Sequence, residues 1–257
     1  MLVLSQFVLR LSFGLALAMA VTSPRKVTSG FFRNHSYVLL GLNVLGALAA
    51  CADQSQLHPW PPIVAAVLAY LCSAAWLYQI PKLGVLLLWS VAAVSLVGAL
   101  LDLPTDARTR LEPGGDMLGP VLWRLDPLAS GQLLGTTIAA MFLGHWYLNT
   151  PTMEIGPLQR LLRLMAEAIV VRGAVCGAGL AALSFHGTAL STAQWLMIGL
   201  RWAAGIIGVA VLAWMAWQTL KIPNTQSATG ILYVAVVTVF IGELTSLLLS
   251  GGTAFPV

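Results

Sequence analysis

Apolar runs of about twenty residues follow one another along nearly the whole chain, and this repetition limits the fold more than any motif does. At 1.5 Å of rise per residue, a run of that length crosses the hydrocarbon layer of a bilayer as an α-helix. Eight runs can be read, at roughly 2–21, 36–52, 62–80, 84–101, 129–149, 161–184, 193–216 and 229–250. The expected fold is all-α: a polytopic integral membrane protein with eight transmembrane helices. Composition agrees. Hydrophobic residues make up 58% of the 257 and charged residues 9%, where soluble domains carry about a quarter charged.

Prolines punctuate four of the connections: Ser23-Pro24, Ile80-Pro81, Thr150-Pro151 and Ile222-Pro223. Proline cannot continue a helix and restrains the residue before it, so the runs group as four hairpins. The organisation read from this is helices one to four in 1–101, a Pro/Gly-rich external loop in 102–128, and helices five to eight in 129–257. Within that loop Leu118, Val121, Leu122 and Trp123 could lie on the membrane surface. The opening run ends in Ala18-Met19-Ala20, which is similar to a small-residue cleavage site. It lacks an early lysine, however, and Arg10 falls late, so it is read as a retained first helix.

Loop charge sets the expected orientation. Arg25, Lys26 and Arg33, then Lys82, then Arg160 and Arg163, then Lys221 fall on one side, while the basic residues of the other side are diluted by acids. The positive-inside rule places the first group in the cytoplasm and both termini outside, in a bacterial-type plasma membrane. The small net charge of +4 is dispersed, unlike the concentrated basic face of a nucleic-acid-binding protein. Cys51, Cys72 and Cys176 sit singly in apolar sequence, which excludes the paired spacings of iron–sulfur and covalent haem sites. There is no phosphate loop, H-E-x-x-H or G-x-S-x-G. Gly173-x-x-x-Gly177 reads as a face for close helix approach.

Five charges lie inside the apolar runs: Arg10, Glu167, Arg172, Arg201 and Glu243. Each costs roughly 2.5–3.5 kcal/mol at membrane depth unless it is matched. Arg201 and Glu243 fall at equal depth on consecutive antiparallel helices and are expected to pair, as a structural tie or part of a proton route. Arg172 and Arg10 find no partner in this reading, which points to another protein subunit.

A second group gathers at the cytoplasmic edge. His145, Glu167, Arg163 and His35 are expected to converge there, with Tyr147 and Asn149 beside them. An imidazole and a carboxylate at a membrane edge suit a quinone head group, offering a hydrogen-bond donor to a carbonyl and an acceptor for released protons. The alternative is haem b, with His35 and His145 as axial ligands and no other metal. His58 and His186 would form a similar pair on the outer side.

In the last two helices, Arg201-Trp202 is followed after a polar turn by Phe240-Ile241-Gly242-Glu243-Leu244. This resembles the closing helices of the membrane anchor subunits of dimethyl-sulfoxide-reductase-type enzymes, over about 50 residues. No arginine follows Gly242-Glu243-Leu244 within the helix, a departure from those anchors. The resemblance implies eight helices with both termini outside, quinol oxidation or quinone reduction without a catalytic centre in this chain, and Glu243 as a polar residue of a quinone pocket. The expected function is an integral membrane subunit of a quinone-linked electron-transfer complex. The rivals are a small-solute permease, in which Arg172 and Arg201 hold an anion, and a non-catalytic assembly subunit. The expected partners are the lipid bilayer and other subunits, with no nucleic acid.

Overall fold

A computed structural model describes residues 1–53, 57–103, 118–150, 153–185, 190–222, 224–253 and 255–257. Eight long helices make up almost all of it, and no strand occurs among the described residues. They are α1 (Leu2–Val21), α2 (Ser29–Ala52), α3 (Trp60–Leu77), α4 (Pro81–Leu101), α5 (Leu118–Asn149), α6 (Gly156–Phe185), α7 (Thr192–Lys221) and α8 (Thr225–Leu249). Seven of them, all but α5, are long and apolar enough to cross a membrane, which supports a multi-pass membrane protein.

The helices alternate in direction, and side chains tie each end together. Lys26 Nζ lies 2.8 Å from Glu154 Oε2, and Trp146 Nε1 donates to Thr28 Oγ1 at 2.9 Å. At the opposite end the backbone N–H of His58 donates to Asp102 Oδ1 at 3.0 Å, with His58 Nδ1 2.8 Å from the same oxygen. Exposed apolar side chains such as Leu48, Val67, Leu86, Val170, Trp214 and Val237 ring the outside of the bundle. That is the surface expected where lipid, not water, is the solvent.

The centre of the bundle is α1 against α5. The main packing of α1 is on α5 and α4, with α2 and α8 beside it, so the first helix is the hub rather than one arm of a hairpin. Of the membrane-length helices α1 is the most buried. Its crossing with α5 is backbone on backbone: a Cβ at Gly135 would sit 1.8 Å from the carbonyl carbon of Gly14. A second crossing of this kind joins α7 to α8, where a Cβ at Gly242 would lie 2.3 Å from the Cα of Gly205. The Gly173/Gly177 face is different. Cβ atoms there would meet Ile206 and Trp202 at an ordinary 3.7 Å, so this pair is not the point of close approach.

Two expectations are corrected here. The helix expected to begin at 129 begins at Leu118 and runs through Pro120 and Pro127 to Asn149. Pro120 falls in its first turn, where amide hydrogens have no partner inside the helix. Pro127 falls within it, where neighbouring helices can stabilise the interruption. Residues 118–128, expected within the loop, are thus part of α5, and 104–117 lies outside the described residues. Pro81 does not directly follow α3, which ends at Leu77, but is the first residue of α4, and Pro24 lies in the turn after α1. Pro151 and Pro223 lie outside the described residues.

α7 is not a uniform helix. Ser191 caps its start with a reciprocal Ser–Gln box, the Ser191 side chain accepting from the Gln194 amide. The stretch Arg201–Gly208 is then wound as a π-helix before α-geometry resumes at Val209. π segments are rare and concentrate at functional positions. This one begins at the buried arginine.

Candidate functional site

Five buried charges meet in the half of the bundle that holds the α8 C-terminus. Arg172 on α6 grips Glu243 on α8 in a two-pronged contact: Nε donates to Oε1 at 2.9 Å and Nη2 to Oε2 at 2.7 Å. Its third nitrogen, Nη1, donates to Asp126 Oδ1 on α5. The other oxygen of Asp126 accepts from Arg10 Nη1 on α1 at 2.5 Å. Ser130 Oγ donates to Glu243 Oε2 at 2.6 Å, and Arg172 Nη2 also reaches Ser246 Oγ at 3.2 Å. All of these groups are at most 2% exposed. One network of charge-assisted hydrogen bonds thus joins α1, α5, α6 and α8.

Arg172 and Arg10 are therefore paired within the chain, which corrects the expectation that they lack partners here; Arg10 Nη2 alone has none among the described residues. The residue missed was Asp126. It falls within the stretch 102–128 that the sequence reads as a loop, whereas α5 carries it into the core. Arg10 Nε is further held by Gln6 Oε1 at 3.0 Å, and Gln6 Nε2 donates to the carbonyls of Ala99 and Asp102 at 2.9 and 2.8 Å. These bonds fix α1 against the end of α4.

Arg201 stands at the margin of the network. Its Nη2 lies 3.8 Å from Glu243 Oε1 and 2.7 Å from Cys176 Sγ. The close partner of Glu243 is thus Arg172, with Arg201 further off. Arg201 Nε and Nη1 have no hydrogen-bond partner among the described residues, although the side chain is buried.

The second group is at the opposite end. His35 is buried on α2, and its ring lies 4.3 Å from that of Phe31 and 4.4 Å from that of Phe142. Its Nδ1 is 2.6 Å from the Phe31 carbonyl oxygen. A carbonyl can only accept, so Nδ1 carries the proton and Nε2 of the neutral ring is an acceptor. His145, one turn beyond Phe142 on α5, is exposed, and its Nδ1 lies 3.2 Å from the Tyr233 hydroxyl of α8. Trp146 packs edge-on 6.2 Å from the His35 ring.

The structure brings His35 and His145 to one neighbourhood but does not join Arg163 and Glu167 to them. Both of these lie exposed on α6, with no ion pair or hydrogen bond among the described residues. Arg163 instead lines an apolar groove between α6 and α7 with Trp214 and Trp217. Tyr147 turns inward and donates to the Glu154 carbonyl oxygen. Tyr233 was missed, because an aromatic in the first half of α8 reads as an interface residue. At the other end His58 is engaged by Asp102, and His186 lies outside the described residues.

No protein-family model, curated protein or solved structure matches this chain. What the architecture defines is a class: an all-helical, multi-pass membrane protein knit by a buried ionic network, with histidines near one face.

Proposed function

We propose that the chain is an integral membrane subunit of a quinone-linked electron-transfer complex, with the quinone head group held against His145 and Tyr233. The observation that carries this reading is the exposed His145–Tyr233 pair at 3.2 Å beside a buried His35 whose Nε2 accepts. With the Tyr233 hydroxyl donating to Nδ1, His145 Nε2 carries a proton and can donate to a quinone carbonyl from the bundle surface. Trp146 and Phe142 supply apolar faces nearby. A head group entering sideways from the bilayer needs that combination of one aimed donor and aromatic walls.

In this reading α5 is the eighth span, central and shielded by its neighbours, and the eight helices traverse the plasma membrane of a bacterial-type cell. Arg25, Lys26, Arg33, Lys82, Arg160 and Lys221 cluster at the His145 end, and by the positive-inside rule this supports a reading with that end in the cytoplasm and both termini outside. Redox partners would be other subunits of the complex. The haem b alternative fits less well. One imidazole is buried between aromatic rings while the other is exposed, and Phe142 and Trp146 fill the α5 side of His35.

Calorimetric titration of the purified protein with a short-chain benzoquinone tests the proposal. Saturable binding is expected, weakened about tenfold in His145→Ala and less in Tyr233→Phe, in line with loss of a hydrogen bond of about 1.4 kcal/mol. Unchanged binding in His145→Ala would remove the site. One observation favours the permease reading: the two unpartnered N–H groups of buried Arg201, which could receive a small anion. Halide uptake by proteoliposomes containing this chain alone would support it and count against the redox subunit.

A further inference from the structure

A separate pocket opens at the His145 end of the bundle, where α1 leaves the membrane and α4 enters it. Val21, Ser23, Arg25, Pro81, Lys82 and Val85 line it, around a cavity of about 570 Å³. That volume lies within the ~300–1,000 Å³ range of small-molecule sites. Two cations face it from different elements, and among the described residues neither has an ion-pair or hydrogen-bond partner. Lys26 next door is already matched by Glu154. Two uncompensated positive charges from different elements therefore share the pocket.

We propose that this pocket binds the phosphate of an anionic phospholipid between Arg25 and Lys82. A lipid is favoured over free phosphate because the wall below the two cations is apolar. Val21 and Val85 line it, and exposed Leu83 and Leu86 continue the apolar surface along α4. The phosphodiester meets the cations at the mouth while the glycerol and acyl chains follow α4 into the bilayer. Charge at a membrane surface and apolar burial then act on one molecule.

Native mass spectrometry of the full-length protein in a zwitterionic detergent tests this, with phosphatidylglycerol and phosphatidylcholine of identical acyl chains. Phosphatidylglycerol is expected to be retained preferentially. Arg25→Gln and Lys82→Gln should each weaken retention about fivefold, and the double variant should lose the preference. Lys221→Gln, an exposed cation at the same end but outside the pocket, should behave as the unaltered protein. Equal retention of the two lipids, or native preference in the double variant, would overturn the proposal. Displacement of phosphatidylglycerol by millimolar inorganic phosphate would assign the pocket to the free anion and overturn the lipid assignment. All three residues are exposed, so these variants should keep the fold.

Discussion

Asp126 decides how the interior charges are borne. It accepts from Arg10 on one oxygen and Arg172 on the other, so removing it leaves two guanidinium groups short of a partner in a medium that cannot solvate them. Breaking a buried pair from one side costs about 3–5 kcal/mol. Asp126→Ala should therefore lower the thermal midpoint in detergent by many degrees. Adding Arg10→Met should recover part of that loss, because one stranded charge goes with it; a double variant no better than Asp126→Ala would show that Arg10 has little stake in the pair. Glu243→Gln should be milder than Glu243→Ala, since an amide oxygen still accepts from Arg172 Nε or Nη2. The two variants compared in one melting series check this. The sequence marks Arg10 and Arg172 as needing partners but hides the partner, because Asp126 sits beside Pro127 in a stretch that resembles a loop. The signal lies in the arginines themselves: two buried cations imply a buried acid, and Asp126 comes within reach once α5 extends back to Leu118.

Among the elements, α5 shows why hydropathy undercounts a central helix. Lipid contact demands apolar side chains, but a helix surrounded by others can carry Ser130, Thr136, Thr137, Asp126 and three glycines facing α1 or α8. Length and hydropathy made eight runs legible, 129–149 among them, but hid the first turns of α5, because they report what faces lipid. Close approach at the α1–α5 crossing predicts that Gly135→Val prevents assembly, since its side chain would have to occupy the backbone of Gly14. Gly156→Ala, with open space around it, should be tolerated. Yield of the monodisperse species by size-exclusion chromatography separates the two. The π segment of α7 gives another test at this scale. Deleting Ala203 should restore α-register and turn Arg201 by about 100° relative to α8, carrying it away from Cys176 and Glu243. A thermal midpoint unchanged by that deletion would show the winding to be unrelated to Arg201.

For the molecule as a whole, the two ends differ in character: one gathers loop cations with His35 and His145, the other the His58–Asp102 tie and the ionic network beside it. The orientation derived from this is open to labelling. In a background with Cys51, Cys72 and Cys176 replaced by alanine, Asp53→Cys should react in intact cells with a membrane-impermeant maleimide. Lys221→Cys should react only after the cells are opened; the reverse pattern would invert the topology. The sequence shows overall architecture and loop charge, which are summed over many residues. It does not show which helix lies at the centre, because that depends on a few glycine and polar positions spread across the chain. The central place of α1 also has a consequence in time. Arg10 leaves the ribosome 116 residues ahead of Asp126, and Glu243, which secures Arg172, follows that arginine by 71 residues. Until Asp126 is made, the guanidinium of the hub has no counter-charge on its own helix, only the side-chain oxygen of Gln6. Synthesis order thus makes the ionic network a late lock, and a nascent chain stalled before α5 should be recognised as unfinished and degraded.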